Sequence, residues 1–228
     1  MSSEELGESP VWPTLAVLTA AALYATLPDK FLTGQATGLF TAVRWLVPAL
    51  TILLLVPLVL SVPRARLFES AQARAAGLRL TRRILSLAVL GLITLATAGS
   101  IALLVHFLLN GATTQAPLLL RAGIHMWCMN VLLFGLWFWQ LDGGGPLARR
   151  QRVGGRDFLF PQETLEGGAA WQPQFLDYLY VAFTNSTAFS PTDAMPVSIW
   201  AKVLMMVQSA ASLLVAILVV ARAVNILH

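Results

Sequence analysis

The chain has 228 residues, 57% of them hydrophobic and 11% charged, with a mean hydropathy of +0.72. Soluble domains carry roughly 25% charged residues, so this composition excludes an ordinary water-soluble fold and implies a single all-α integral membrane domain. The net charge of +4 comes mostly from arginines gathered between apolar runs, a pattern that fits membrane topology and anionic headgroups and not nucleic acid.

Residues 1–10 carry Glu4, Glu5 and Glu8 and no basic group. A secretory leader needs a basic start, so the first apolar run is expected to stay as a helix. Crossing a hydrocarbon core takes about 20 mainly apolar residues. Five runs meet or approach that length: 11–27, 45–62, 84–109, 118–141 and 198–227. Trp12, Trp45, Trp137, Trp139 and Trp200 sit near their ends, where indoles favour the headgroup level. Between the second and third runs, 64–83 holds Arg64, Arg66, Arg74, Arg79, Arg82 and Arg83 against Glu69 alone. It reads as a basic cytoplasmic segment holding anionic lipids, with 71–83 as an amphipathic helix on the inner leaflet. Arg149, Arg150, Arg152 and Arg156 follow the fourth run, whereas 110–117 is uncharged. The positive-inside rule then places the N-terminus in the cytoplasm and, with five spans, the C-terminus outside the inner (plasma) membrane.

Residues 142–173 contain Gly143, Gly144, Gly145, Gly154, Gly155, Gly167 and Gly168, which predicts a linker of turns and mobile loop. The next stretch, 174–196, is neither a full span nor a loop. Pro173 suits the start of a helix, and 174–187 would extend only ~20 Å at 1.5 Å per residue. Ser190-Pro191-Thr192-Asp193 then reads as a capped turn. A short helix, a polar turn and a long apolar helix together predict a re-entrant, pore-helix-like element, which membrane depth tolerates only where protein or water surrounds it.

Ionisable and polar groups inside membrane segments mark candidate sites. Thr184, Asn185, Ser186, Thr187, Ser190 and Asp193 would line a polar pathway, with Gln208 and Ser212 facing its vestibule; alternatively they are hydrogen-bonding glue between helices. Asp193 is either a pathway acid or a helix cap paired with Lys202, and Asp177 either a functional acid or an interfacial one. Arg121 and His125 share a helix face one turn apart, with His106 near the same boundary; they form a proton- or anion-sensing cluster, or Arg121 snorkels outward and the histidines hydrogen-bond neighbouring helices. A third ligand at zinc spacing is missing, so no metal or cofactor is expected. The lone Cys128 forms no disulfide framework. No nucleophile–base pair, phosphate loop or dinucleotide glycine pattern occurs, so no enzyme is expected.

The runs FWQLDGGGP, DFLFPQ and DYLYVAFTNSTAFSPTDAMP, with ARAVNIL at the end, resemble a widespread group of uncharacterised bacterial multi-pass membrane proteins, a resemblance that brings no activity with it. Residues 184–224, through Thr184, Thr187, Asp193, Pro196, Ser198, Ala201, Lys202 and Ala221-Arg222-Ala223-Val224, look like the pore loop and inner helix of potassium-channel-type proteins. That likeness implies homo-oligomers, because one such unit supplies only part of a pore wall. The family's filter glycines have no counterpart here, and a carbonyl-lined filter needs them, so potassium selectivity is not expected. Two functions follow as expectations: an oligomeric pore-loop protein passing ions or small polar solutes, or a non-conducting membrane scaffold or accessory subunit.

Overall fold

A computed structural model describes residues 11–26, 45–46, 48–49, 72–109, 116–151, 154–165, 168, 171–187 and 194–227. They are mostly helical, and three helices are long and apolar enough to cross a membrane. These are α2 (Gln72–Leu109), α3 (Ala116–Leu141) and α6 (Ile199–Leu227). α1 (Val11–Ala25) is apolar but has only 15 residues. The span expected at 45–62 lies almost wholly outside the described residues. Residues 72–83 continue α2 without a break and do not form a separate surface helix. Its 38 residues extend ~57 Å at 1.5 Å per residue.

α3 is the central helix, mainly apolar and in contact with α1, α2, α5 and α6. Met129, Leu133 and Leu136 pack with Ala16 and Tyr24 of α1 and Val89, Leu90 and Ile93 of α2. Val131, Phe134 and Phe138 belong to a second cluster with Phe158, Phe160 and Tyr178. Toward its start, Leu119, Ala122 and Met126 meet Val215 and Val219 of α6. Gln140 Nε2 donates to Ser86 Oγ, and Trp137 Nε1 donates to Thr94 Oγ1 at 2.9 Å. α2 and α3 are therefore antiparallel, with Arg83 and Asp142 at the same end of the bundle.

The described residues of the glycine-rich stretch after α3 build a cap on the bundle. Gly143, Gly144 and Gly145 have φ of 58°, 82° and 98°, backbone that L side chains adopt only with strain. This turns the chain through a 3₁₀ segment (Asp142–Gly144) into the short helix α4 (Pro146–Gln151). Strand β1 (Phe158–Leu159) and a second 3₁₀ turn (Pro161–Thr164) follow. β1 pairs antiparallel with β2 (Met195–Pro196), Phe158 opposite Pro196. This small sheet joins segments far apart in sequence and has no local pattern that would announce it.

α5 (Phe175–Thr187) is the short helix expected after Pro173. It starts beside Asp142 and runs antiparallel to α3, with Tyr178 at the cap and Phe183 edge-on to Trp127. The chain is back at the cap by Ala194, which packs in the cluster of Phe138 and Tyr178. α6 then runs parallel to α5. Its start is capped by Ser198, whose Oγ accepts the Ala201 N–H at 3.1 Å; the turn 188–193, including Ser190 and Asp193, lies outside the described residues.

Close helix contact, which drives assembly in lipid where the hydrophobic effect is absent, depends on two glycines of α3. A Cβ at Gly135 would stand 3.2 Å from the Leu179 Cα, and one at Gly123 would stand 2.9 Å from the Val219 methyls. A Cβ at Gly99 of α2 would meet nothing within 4 Å. Gly135→Val is expected to lower the stability of the purified protein by about 1–3 kcal/mol, as overpacking does. Gly99→Val should leave it nearly unchanged, and thermal unfolding in detergent measures both.

Candidate functional site

Two polar constellations lie inside the apolar bundle. The first joins α3, α5 and α6 through Asn130, Asn185, Ser186, Gln208, Ser209 and Ser212. Gln208 is fully buried. Its Nε2 donates to Ala182 O at 2.7 Å and Ser186 Oγ at 2.8 Å, and its Oε1 accepts from Asn185 Nδ2 at 2.8 Å. Asn185 Nδ2 also donates to Met205 O at 3.0 Å. Asn130 Nδ2 donates to Ser212 Oγ at 2.6 Å and Gln208 O at 3.2 Å. Each of these three carboxamide NH₂ groups thus makes both of the bonds it can donate.

The same network serves the end of α5. The last carbonyls of a helix have no partner within it. Here Ser209 Oγ donates to Asn185 O at 3.1 Å, and Thr187 Oγ1 donates to Thr184 O at 3.0 Å. Thr184 Oγ1 bonds back to Tyr180 O and Val181 O. The six predicted pathway residues among those described, Thr184 to Thr187, Gln208 and Ser212, therefore fall in one region.

The second constellation is the cap, and it centres on Asp142, only 1% exposed. Its Oδ1 accepts the Asp157 N–H at 2.7 Å and the Phe158 N–H at 3.1 Å, while Oδ2 accepts the Tyr178 hydroxyl. Asp157 Oδ2 in turn accepts the Gly143 N–H at 3.1 Å. Arg149 Nη1 donates to the carbonyls of Trp139 (2.6 Å) and Asp142 (2.8 Å), with its guanidinium 4.9 Å from the Tyr178 ring centre, a cation–π distance. Arg156 pairs with Glu163, whose side chain is 6% exposed. FWQLDGGGP, DFLFPQ and DYLYVAF, separate in sequence, meet here.

The remaining candidates are dispersed. Asp177 caps α5: its Oδ2 accepts the Gln174 N–H at 2.7 Å, the reach-back half of a capping box. Arg121 is exposed at the opposite end of α3, and His125 Nδ1 donates to its carbonyl at 2.8 Å. His106 is exposed at the C-terminal end of α2, and Lys202 on the first turn of α6. Among the described residues no three His, Cys, Asp or Glu side chains come together as a metal site. Of the basic segment 64–83, Arg83 is described with its side chain, and it is exposed. Nothing in their sequence spacing marks Asp142, Arg149, Asp157, Glu163 and Tyr178 as one site. The one local signal was an acid set directly before three glycines.

Compared with protein-family models, characterised proteins and solved structures, the chain gives no match in any of the three.

A buried donor left without its acceptor costs about 1–3 kcal/mol. Asp142→Ala orphans two backbone N–H groups and a hydroxyl and is expected to cost at least 3 kcal/mol. Tyr178→Phe, which removes one bond, should cost about 1–2 kcal/mol. The two share a hydrogen bond, so the double variant should lose less than the sum; denaturant unfolding in detergent completes the cycle.

Proposed function

We propose that this chain is a multi-span membrane scaffold with a re-entrant half-helix, non-conducting on its own, whose working surface is the charged cap. The observation that carries this reading is the closed hydrogen bonding of Asn130, Asn185 and Gln208. A solute pathway needs polar groups free to exchange water or ion contacts, whereas these hold helices to one another. Outward on α6, Met206, Val207, Leu213, Leu214, Ile217 and Val220 are exposed and apolar, a surface suited to lipid or to membrane partners.

A pore-loop assembly is the second reading. It is favoured by the chain entering the bundle from the cap along α5 and being back at the cap by Ala194, as in a pore loop. In that case a homo-oligomer would bring 188–193, with Ser190 and Asp193, to a shared axis. Reconstitution separates the two readings. The scaffold predicts ion and small-solute flux from proteoliposomes equal to that of protein-free vesicles. Flux above that level, altered by Asp193→Asn, would establish the pore instead.

Arg83, Arg149, Arg150 and Arg156 share one end of the bundle, and in this reading that end is cytoplasmic. A reporter fused after Leu227 is expected to be active only on the outer side, and one fused within 142–173 only on the inner side. The reverse pattern would turn the molecule over.

A further inference from the structure

The cap closes over a cleft of about 200 Å³ whose lining includes Asp142, Gly143, Arg149, Arg156, Glu163 and Gln172. Most of the chemistry there is committed. Asp142 is held by three donors, and Arg149 Nη1 by two carbonyls. Arg156 takes Glu163 Oε2. Among the described residues, the buried side-chain atoms without a hydrogen-bond partner are Arg149 Nη2, Gln162 Oε1 and the two Glu163 carboxylate oxygens, of which Oε2 has the Arg156 ion pair. Arg149 Nη2 and Glu163 Oε1 are the two of opposite character whose residues line the cleft. Buried charged groups in that condition are costly, and residues carrying one of each sign line the same small space.

We propose that this cleft binds a small zwitterion of the phosphoethanolamine type, its anionic oxygen on Arg149 Nη2 and its protonated amine on Glu163 Oε1. An anion alone would serve Arg149 but approach the carboxyl groups of Glu163 and Asp142. A cation alone would leave Arg149 Nη2 as it is. A zwitterion answers both atoms with a group of each sign. The volume lies below the ~300–1,000 Å³ typical of drug-sized ligands, which suits a headgroup-sized molecule. Leu147, Leu165 and Leu176 are exposed on the segments that build the cap, as expected of a surface set in the interface of a bilayer. The ligand can come from two sources, the headgroup of phosphatidylethanolamine or free phosphoethanolamine. The lipid source rests on the membrane reading above but is independent of conduction, so a flux result does not decide it.

The test uses the full chain. Native mass spectrometry of protein exchanged with mixed vesicles of phosphatidylethanolamine, phosphatidylglycerol and phosphatidylcholine should show preferential retention of the first. Phosphatidylglycerol lacks the amine, and phosphatidylcholine has no N–H to donate. Glu163→Gln should weaken that retention about tenfold, the effect of one charge-assisted hydrogen bond. Arg156→Gln, which frees Glu163 Oε2 at a side chain 42% exposed, should strengthen it. That pair of opposite signs would not come from loosened folding. Calorimetry with free phosphoethanolamine in lipid-free detergent makes the second arm: binding there, sensitive to Glu163→Gln and without any lipid preference, identifies the free molecule as the source. No preference among the lipids together with no binding of phosphoethanolamine overturns the proposal. So does a preference that Glu163→Gln leaves unchanged.

Discussion

A carboxyl group almost shut off from solvent, at the point where a long apolar helix ends, has to find its hydrogen-bond donors inside the chain. Asp142 finds them in Asp157, Phe158 and Tyr178, and this obligation organises the cap. It draws β1 against the end of α3 and fixes where α5 begins. Through the pairing of β1 with β2 it also fixes where α6 begins. The three positive-φ glycines are the backbone cost of turning the chain tightly enough for one carboxyl to reach all three. Arg149 then occupies the carbonyls exposed by α3 stopping there.

The second constraint is α5 stopping part-way along the bundle. A helix end in an apolar interior must have its last carbonyls satisfied. Ser209 and Thr187 supply hydroxyls to them, and the three carboxamides bind the surroundings together. The residues that suggest a polar pathway in a linear reading make hydrogen bonds among α3, α5 and α6 around the end of this half-length helix. In the scaffold reading proposed above, the functional weight lies at the charged end of the bundle and not in its middle.

Legibility in the sequence followed the range of the interactions. The apolar runs at 84–109, 118–141 and 198–227 reappear in α2, α3 and α6, because bilayer-length hydrophobicity is a local property. α2 begins earlier than its apolar run since helix continues through the basic residues without needing apolarity. α5 was legible from Pro173 and the short run behind it. The cap was not. Its bonds link residues 15, 16 and 36 positions apart, and its glycines look locally like those of any flexible linker. Gln208 and Ser212 stood out as polar residues in an apolar helix, but their partners on α3 and α5, 22 to 82 positions away, could not be read from spacing.

α2 holds one further implication. Its 38 residues form an unbroken helix, longer than a hydrocarbon core of about 30 Å is thick even when tilted. It is tied to α3 through Ser86–Gln140 and Thr94–Trp137, close to the cap. An unbroken helix has no hinge between its Gln72 end and those ties. The direction in which its Gln72 end projects is therefore set by the same bonds that hold α2 beside the cap.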